Sequence, residues 1–149
     1  MALTATADRI TRHDIITQLH LQNVREFISS FDRPNLSLSV KRNFQAKEKT
    51  NFILNFIKAR PYDAGIIYCL SRKTTEKVAT TLRAKGIKAM PYHAGLTNQE
   101  RSLAQEQFKN DELQVVCATI AFGMGIDKSN VRWVIHYNMP KSIESFYQE

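Results

Sequence analysis

The chain contains 149 residues, of which 43% are hydrophobic and 23% are charged, as is typical of one soluble globular domain with a core of its own. No apolar run approaches the length of a membrane span, and no charged-then-apolar signal segment is visible at the start, so no contact with a membrane is expected. The formal net charge of +7 favours a polyanionic partner such as nucleic acid, although a solvated basic surface without a partner carries the same charge.

Both cysteines, Cys69 and Cys117, lie in apolar runs that resemble strands. They have neither CxxC spacing nor a histidine at metal-ligand spacing, so no metal site is predicted. We interpret them as buried, reduced thiols, which are typical of a cytosolic protein.

The hydrophobic pattern predicts helices and strands that alternate along most of the chain. A first helix through residues 15–19, opened by a capping box of Thr11 and Asp14, precedes an extended linker. After the linker, the pattern predicts nine elements. They are a strand (36–44), a helix (47–60), a strand (65–70), a helix (71–86), a strand (87–92), a helix (97–108), two strands (113–118 and 131–137) and a helix from residue 142. This alternation predicts an α/β domain with a mostly parallel sheet and helices on both faces.

Right-handed crossovers bring the strand-to-helix loops of such a sheet to one edge. Three of these loops, at residues 71–73, 93–95 and 119–127, are rich in residues that bind ligands. Ser71 and Arg72 begin a predicted helix, where backbone N–H groups and the positive helix end suit a phosphate. A simple helix cap followed by solvated cations is an equally good interpretation of this segment alone.

The second and third loops offer further candidate contacts. His93 and Gly95 precede a helix that a capping box of Thr97 and Glu100 opens. A lone histidine is more often a structural hydrogen-bonding residue than a catalyst, and no neighbour makes His93 a general base. Thr119 follows the most apolar strand and suits either a phosphate contact or the cap of a helical turn.

Two glycines and a carboxylate lie further along the third loop. Gly123 and Gly125 allow the backbone to turn sharply and to approach a ligand closely, and Asp127 can bind a ribose hydroxyl or hold an arginine. A tight connection in which these residues serve only the turn is the alternative. Phe122 and Trp133 can stack on a base, but aromatic residues in apolar runs are more often core, and we assign both to the core.

Two parts of a complete nucleotide site are absent from this sequence. It has no GxxxxGK[ST] phosphate-binding loop and no Asp-Glu pair after an apolar strand to hold Mg²⁺. If this domain works with ATP, it therefore supplies half of a site, and no complete catalytic set is expected in these residues.

Taken in order, several segments resemble the motifs of the RecQ-type DNA helicases of helicase superfamily two. The segments are LTATA at 3–7, SFDRPN at 30–35, IIYCLSR at 66–72, YHAGL at 92–96, ATIAFGMGIDK at 118–128 and SIESFYQE at 142–149. They look like motif III, the connection between two motor domains, motif IV, a loop between motifs IV and V, motif V, and the lead into motif VI. Their order and spacing make the resemblance specific.

The resemblance implies a RecA-like, three-layer α/β domain that lacks its own P-loop. Residues 1–35 would be the end of the first motor domain and the linker, and residues 36–149 the second motor domain, cut before motif VI. It also implies ATP-dependent 3′-to-5′ unwinding of DNA in repair and recombination, with Mg²⁺ ligands outside this chain and neither ATP nor Mg²⁺ bound by the chain alone. A cytoplasmic location, bacterial and nucleoid-associated, is expected rather than a nuclear one.

The same resemblance implies partners and site residues. The partners would be single-stranded and duplex DNA and the first motor domain, with this chain itself a monomer. Ser71, Arg72, His93, Gly95 and Thr119 are assigned to the DNA backbone. The nucleotide-facing side is assigned to a second set of residues, Gly123, Gly125 and Asp127. An RNA helicase domain and a non-enzymatic nucleic-acid-binding module remain the alternatives.

Overall fold

The computed structural model describes residues 2–4, 7–29, 33–119, 122 and 128–148. The chain divides into two compact units, Met1–Asn43 and Phe44–Glu149. The first unit contains helix α1, Arg9–Gln18, none of whose residues is buried. The predicted Thr11 capping box is wrong, because the carboxylate of Asp8, one turn earlier, accepts the Thr11 N–H at 2.7 Å and caps the helix.

The second unit alternates helices and strands as the sequence predicts. In chain order it contains α2 (Ala46–Lys58), β1 (Ala64–Tyr68), α3 (Arg72–Arg83), β2 (Ala89–Tyr92), α4 (Asn98–Lys109), β3 (Val115–Ala118), β4 (Val131–His136) and α5 (Ile143–Gln148). None of the helices in the described ranges is both long and apolar enough to span a membrane.

The four strands of the second unit form one sheet in the order β2-β3-β1-β4. Every pairing is parallel: β1 pairs with β3 and β4, and β2 pairs with β3. Because parallel strands need crossovers, the connecting helices cover both faces of the sheet. The predicted α/β, three-layer fold is thereby confirmed.

The first face of the sheet is covered by α2 and α3. Their apolar side chains, among them Ile57 and Leu82, form one cluster with Cys69, Cys117 and Trp133. Both cysteines are buried and free, as predicted. Burial raises the pKa of the Cys69 thiol to about 11 and raises that of Cys117 further, because a thiolate would lose its hydration there.

The opposite face is covered by α4. Phe108 of this helix is fully buried with Phe122, Tyr92, Val116 and other residues of the strands. Phe122 and Trp133 are thus both core residues, as predicted, with exposures of 1% and 8%.

The predicted strand at residues 36–44 is wrong. The structure has no helix or strand between residues 33 and 45. Leu36, Leu38 and Val40 are each more than half exposed. Alternation favours a strand only where a neighbour completes the hydrogen-bond ladder and covers one face, and these residues have no such neighbour in the described part of the chain.

Candidate nucleic-acid interface

The three predicted loops leave the same edge of the sheet. Tyr68 at the end of β1 and Tyr92 at the end of β2 are both in register with Ala118 at the end of β3. The Cys69 N–H donates to the Ala118 carbonyl at 2.8 Å, and the Thr119 N–H donates to the Tyr92 carbonyl at 3.1 Å. Ligands of open α/β sheets bind beyond the carboxyl ends of the strands, so this edge is the candidate site.

The first loop ends in the predicted helix cap. The Ser71 hydroxyl accepts the Thr74 N–H at 3.1 Å, and the Ser71 carbonyl accepts the Thr75 N–H at 3.0 Å. Ser71, Arg72 and Lys73 are exposed. The positive end of α3 therefore lies beside two cationic side chains at the surface, which favours an anion electrostatically.

His93 is held between two protein groups. Its side chain is 3% exposed, Nδ1 accepts the Gly95 N–H at 3.2 Å, and Nε2 lies 3.1 Å from Glu76 Oε1 of α3. Because Nδ1 accepts a hydrogen bond, a neutral ring carries its proton on Nε2 and donates it to the Glu76 carboxylate. The imidazole therefore fixes the second loop against α3. Its assignment to the DNA backbone stays a prediction.

The first two loops meet at Gly95. A Cβ atom there would lie 3.0 Å from Arg72 Nη1 and 3.2 Å from both Arg72 Cδ and His93 Nδ1. The absence of a side chain thus lets the Arg72 stem lie against the second loop. Because β3 lies between β1 and β2, the half-buried Thr119 emerges between these two loops. The structure therefore brings together the residues that the sequence predicts to bind DNA.

Phe122 is the described residue in the middle of the third predicted loop. Its ring packs edge-on against Tyr92 and Phe108, with centroid distances of 4.5 and 5.9 Å. The Phe122 carbonyl accepts a hydrogen bond from the Tyr68 hydroxyl at 2.6 Å. The predicted nucleotide-facing residues, Gly123, Gly125 and Asp127, lie outside the described residues.

The sequence did not single out Tyr68 or Glu76. Tyr68 was visible as the polar-tipped aromatic residue at the end of a buried strand, where a hydroxyl can reach a loop. Glu76 carried no such signal, because its partner lies 17 positions away and is brought near by the packing of α3. Among the described residues, no three His, Cys, Asp or Glu side chains form a group that could hold a metal ion.

The sequence matches the model of the helicase conserved C-terminal domain over residues 48–149. It is 50% identical over its whole length to an ATP-dependent DNA helicase RecQ of Pasteurella multocida, of which it covers 23%. The structure resembles a DEAD box protein of Methanococcus jannaschii, with a TM-score of 0.61, 26% identity, and coverage of 68% of this chain and 28% of that one.

A third similarity is to the helicase Lhr of Mycobacterium smegmatis bound to single-stranded DNA and AMP-PNP. The TM-score is 0.60 and the identity 23%, with 68% of this chain and 14% of that chain covered, so this likeness concerns the fold alone. The chain spans about a quarter of the length of the RecQ relative. By its match to the domain model and its identity to RecQ proteins, the chain belongs to the family of helicase conserved C-terminal domains and is of the RecQ type.

Proposed function

We propose that this chain is the second motor domain of an ATP-dependent DNA helicase that moves 3′ to 5′ and acts in DNA repair and recombination. The observation that carries the proposal is the placement of Arg72 against Gly95 at the carboxyl edge of the sheet, the same edge at which Thr119 follows β3. The RecQ relative, which is named a DNA helicase, supports DNA as the nucleic acid.

The domain contacts the phosphate backbone of the DNA, which suits a motor that must move along DNA of any base sequence. Arg72 supplies the charge, and the exposed N-terminus of α3 supplies backbone N–H groups. Gly95 keeps the surface open for a strand to approach, while His93 holds the Gly95 N–H in place from behind. His93 thus serves the DNA surface through Gly95, and Thr119 contributes a neutral hydroxyl between the two loops.

ATP binds between this domain and a first motor domain. The described residues offer no group of carboxylates for Mg²⁺, and the sequence has no phosphate-binding loop, so the first motor domain supplies both. Gly123, Gly125 and Asp127 form a wall of the ATP site. Opening and closing of the cleft with each ATP moves the two domains along the strand. Residues 1–35 are the end of the first motor domain and the linker, and the second motor domain begins at residue 36.

The test is unwinding by the intact protein on duplexes with a single-stranded tail at the 3′ or the 5′ end. We expect ATP-dependent unwinding of the 3′-tailed DNA alone, and no ATP hydrolysis by the 149-residue chain by itself. Preferential unwinding of a matched RNA duplex would instead identify an RNA helicase. DNA binding without any ATP hydrolysis by the intact protein would identify a non-enzymatic binding module.

A further inference from the structure

Lys128 directly follows the sequence segment that carries Gly123, Gly125 and Asp127, and its side chain does not face solvent. It is 4% exposed, although the residue is a lysine in a chain of net charge +7. An isolated buried ammonium group is costly, so its contacts must replace the lost hydration.

Three groups at the end of α4 provide those contacts. Lys128 Nζ lies 2.6 Å from Asp111 Oδ1 and 3.4 Å from the carbonyl oxygen of Lys109, the last residue of the helix. It also lies 5.1 Å from the centroid of the Phe108 ring. The ammonium group therefore satisfies a helix-end carbonyl and meets the negative end of the α4 dipole, a carboxylate and an aromatic face together.

Asp111 is arranged to receive this lysine. It follows the α4 C-cap, Asn110, with a left-handed φ of 62°, and its Oδ1 atom also accepts a hydrogen bond of 2.8 Å from Asn130 Nδ2. The hydrogen bonds from Lys128 and Asn130 hold the pKa of Asp111 below its usual value. One carboxylate oxygen thus joins the turn after α4 to both Lys128 and Asn130.

We propose that Lys128 is a positioning residue: by binding Asp111 and the end of α4 it fixes the chain at the position that follows Asp127, and it does not bind nucleic acid itself. Phe122, the residue before Gly123, is held by its buried ring and by the Tyr68 hydroxyl. The two residues that flank the sequence segment 123–127 are therefore both anchored. The inference rests on the proposed function, because it assigns that segment to the nucleotide.

The test compares Lys128→Met, Asp111→Asn and the control Glu112→Gln in the intact helicase. Asn tolerates the left-handed backbone of residue 111, so Asp111→Asn removes the ion pair with little effect on the turn. Glu112 is an exposed neighbour of Asp111, so its substitution removes a charge without removing a contact of Lys128. We expect Lys128→Met and Asp111→Asn each to lower kcat for DNA-stimulated ATP hydrolysis by about tenfold, because positioning losses of this size follow small displacements. Glu112→Gln leaves kcat unchanged.

Binding to fluorescein-labelled oligothymidine at several salt concentrations separates the two roles of a lysine. A positioning role leaves the slope of log affinity against log salt unchanged in both variants. The kcat of the double variant Lys128→Met/Asp111→Asn is then no lower than that of either single variant. A lysine that binds a phosphate would instead lower the slope by about 0.7 in Lys128→Met and not in Asp111→Asn, which would overturn the proposal. Normal kcat in Asp111→Asn would also overturn it. Failure of the wild-type protein to hydrolyse ATP would count against the proposed function, not against the Lys128 contacts.

Discussion

Gly65, in the central strand β1, has no room for a side chain. An added Cβ atom would lie 2.2 Å from Trp133 Cδ2 and Cε2, against the 3.4 Å at which ordinary contacts begin. Trp133 is 8% exposed, and the Phe56 ring meets it edge-on at a centroid distance of 5.6 Å. Gly65→Ala therefore forces the indole out of a packed position.

The magnitude lies between two alternative costs. Overpacking a core typically costs about 1–3 kcal/mol, and complete loss of a buried aromatic side chain costs about 3–5 kcal/mol. Replacing glycine by alanine returns about 0.4–1 kcal/mol through the entropy of the unfolded chain, since Gly65 has no left-handed φ. Either cost less this gain gives a net loss of about 1–4 kcal/mol, which for a domain of this size corresponds to a fall in Tm of roughly 3–12 °C.

Urea unfolding followed by circular dichroism measures this loss as a lower midpoint at constant m-value. The double variant Gly65→Ala/Trp133→Leu is the control, because a smaller side chain at 133 leaves room for the new methyl group. The loss of stability in the double variant should be smaller than the sum of the losses in the two single variants by about 1 kcal/mol or more. A stability of Gly65→Ala within about 0.5 kcal/mol of the wild type would refute the packing argument.

Three further predictions use the same unfolding assay. Gly86→Ala, at a φ of 81° with nothing within 4 Å of the added Cβ, should cost about 1–2 kcal/mol from backbone strain alone; no cost would contradict the left-handed backbone there. Tyr68→Phe leaves the Phe122 carbonyl without the hydroxyl that donates to it at 2.6 Å, and a loss of about 1–3 kcal/mol is expected, whereas a neutral result would show that another donor replaces it. Burial raises the pKa of the Cys69 thiol from 9.0 to about 11, so the thiol contributes stability that is complete below pH 9.0 and is lost as the pH rises through 11. The difference in unfolding free energy between the wild type and Cys69→Ala should therefore shrink over that range. A difference that stays constant with pH would refute the raised pKa.

The local signals of the sequence are those that the structure reproduces most closely. The Ser71 cap and the Thr97–Glu100 capping box depend on residues three positions apart, so they need no distant partner. The Thr11–Asp14 box fails because Asp8, also three positions away from Thr11, caps the helix one turn earlier. The parallel sheet is likewise predictable, since apolar runs alternating with amphipathic segments leave few other arrangements.

What the sequence could not predict depends on distant partners. The burial of His93 requires Glu76 from α3, and the burial of Lys128 requires Asp111 after α4; neither pair has a fixed spacing that a pattern can reveal. The segment at residues 36–44 also depends on a partner. Apolar and polar residues alternate in its sequence, but no strand in the described part of the chain pairs with it, so no strand forms there.

The most direct test of the central claim compares Arg72→Ala with Arg83→Ala in the 149-residue chain. The two arginines are exposed at opposite ends of α3, so each change removes the same charge from the same helix. Binding of fluorescein-labelled oligothymidine is measured by anisotropy at several salt concentrations. We predict salt-sensitive binding by the wild type, a slope lower by about 0.7 in Arg72→Ala, and an unchanged slope in Arg83→Ala. Equal effects of the two substitutions, or no binding at low salt, would contradict the placement of the DNA backbone at the carboxyl edge of the sheet.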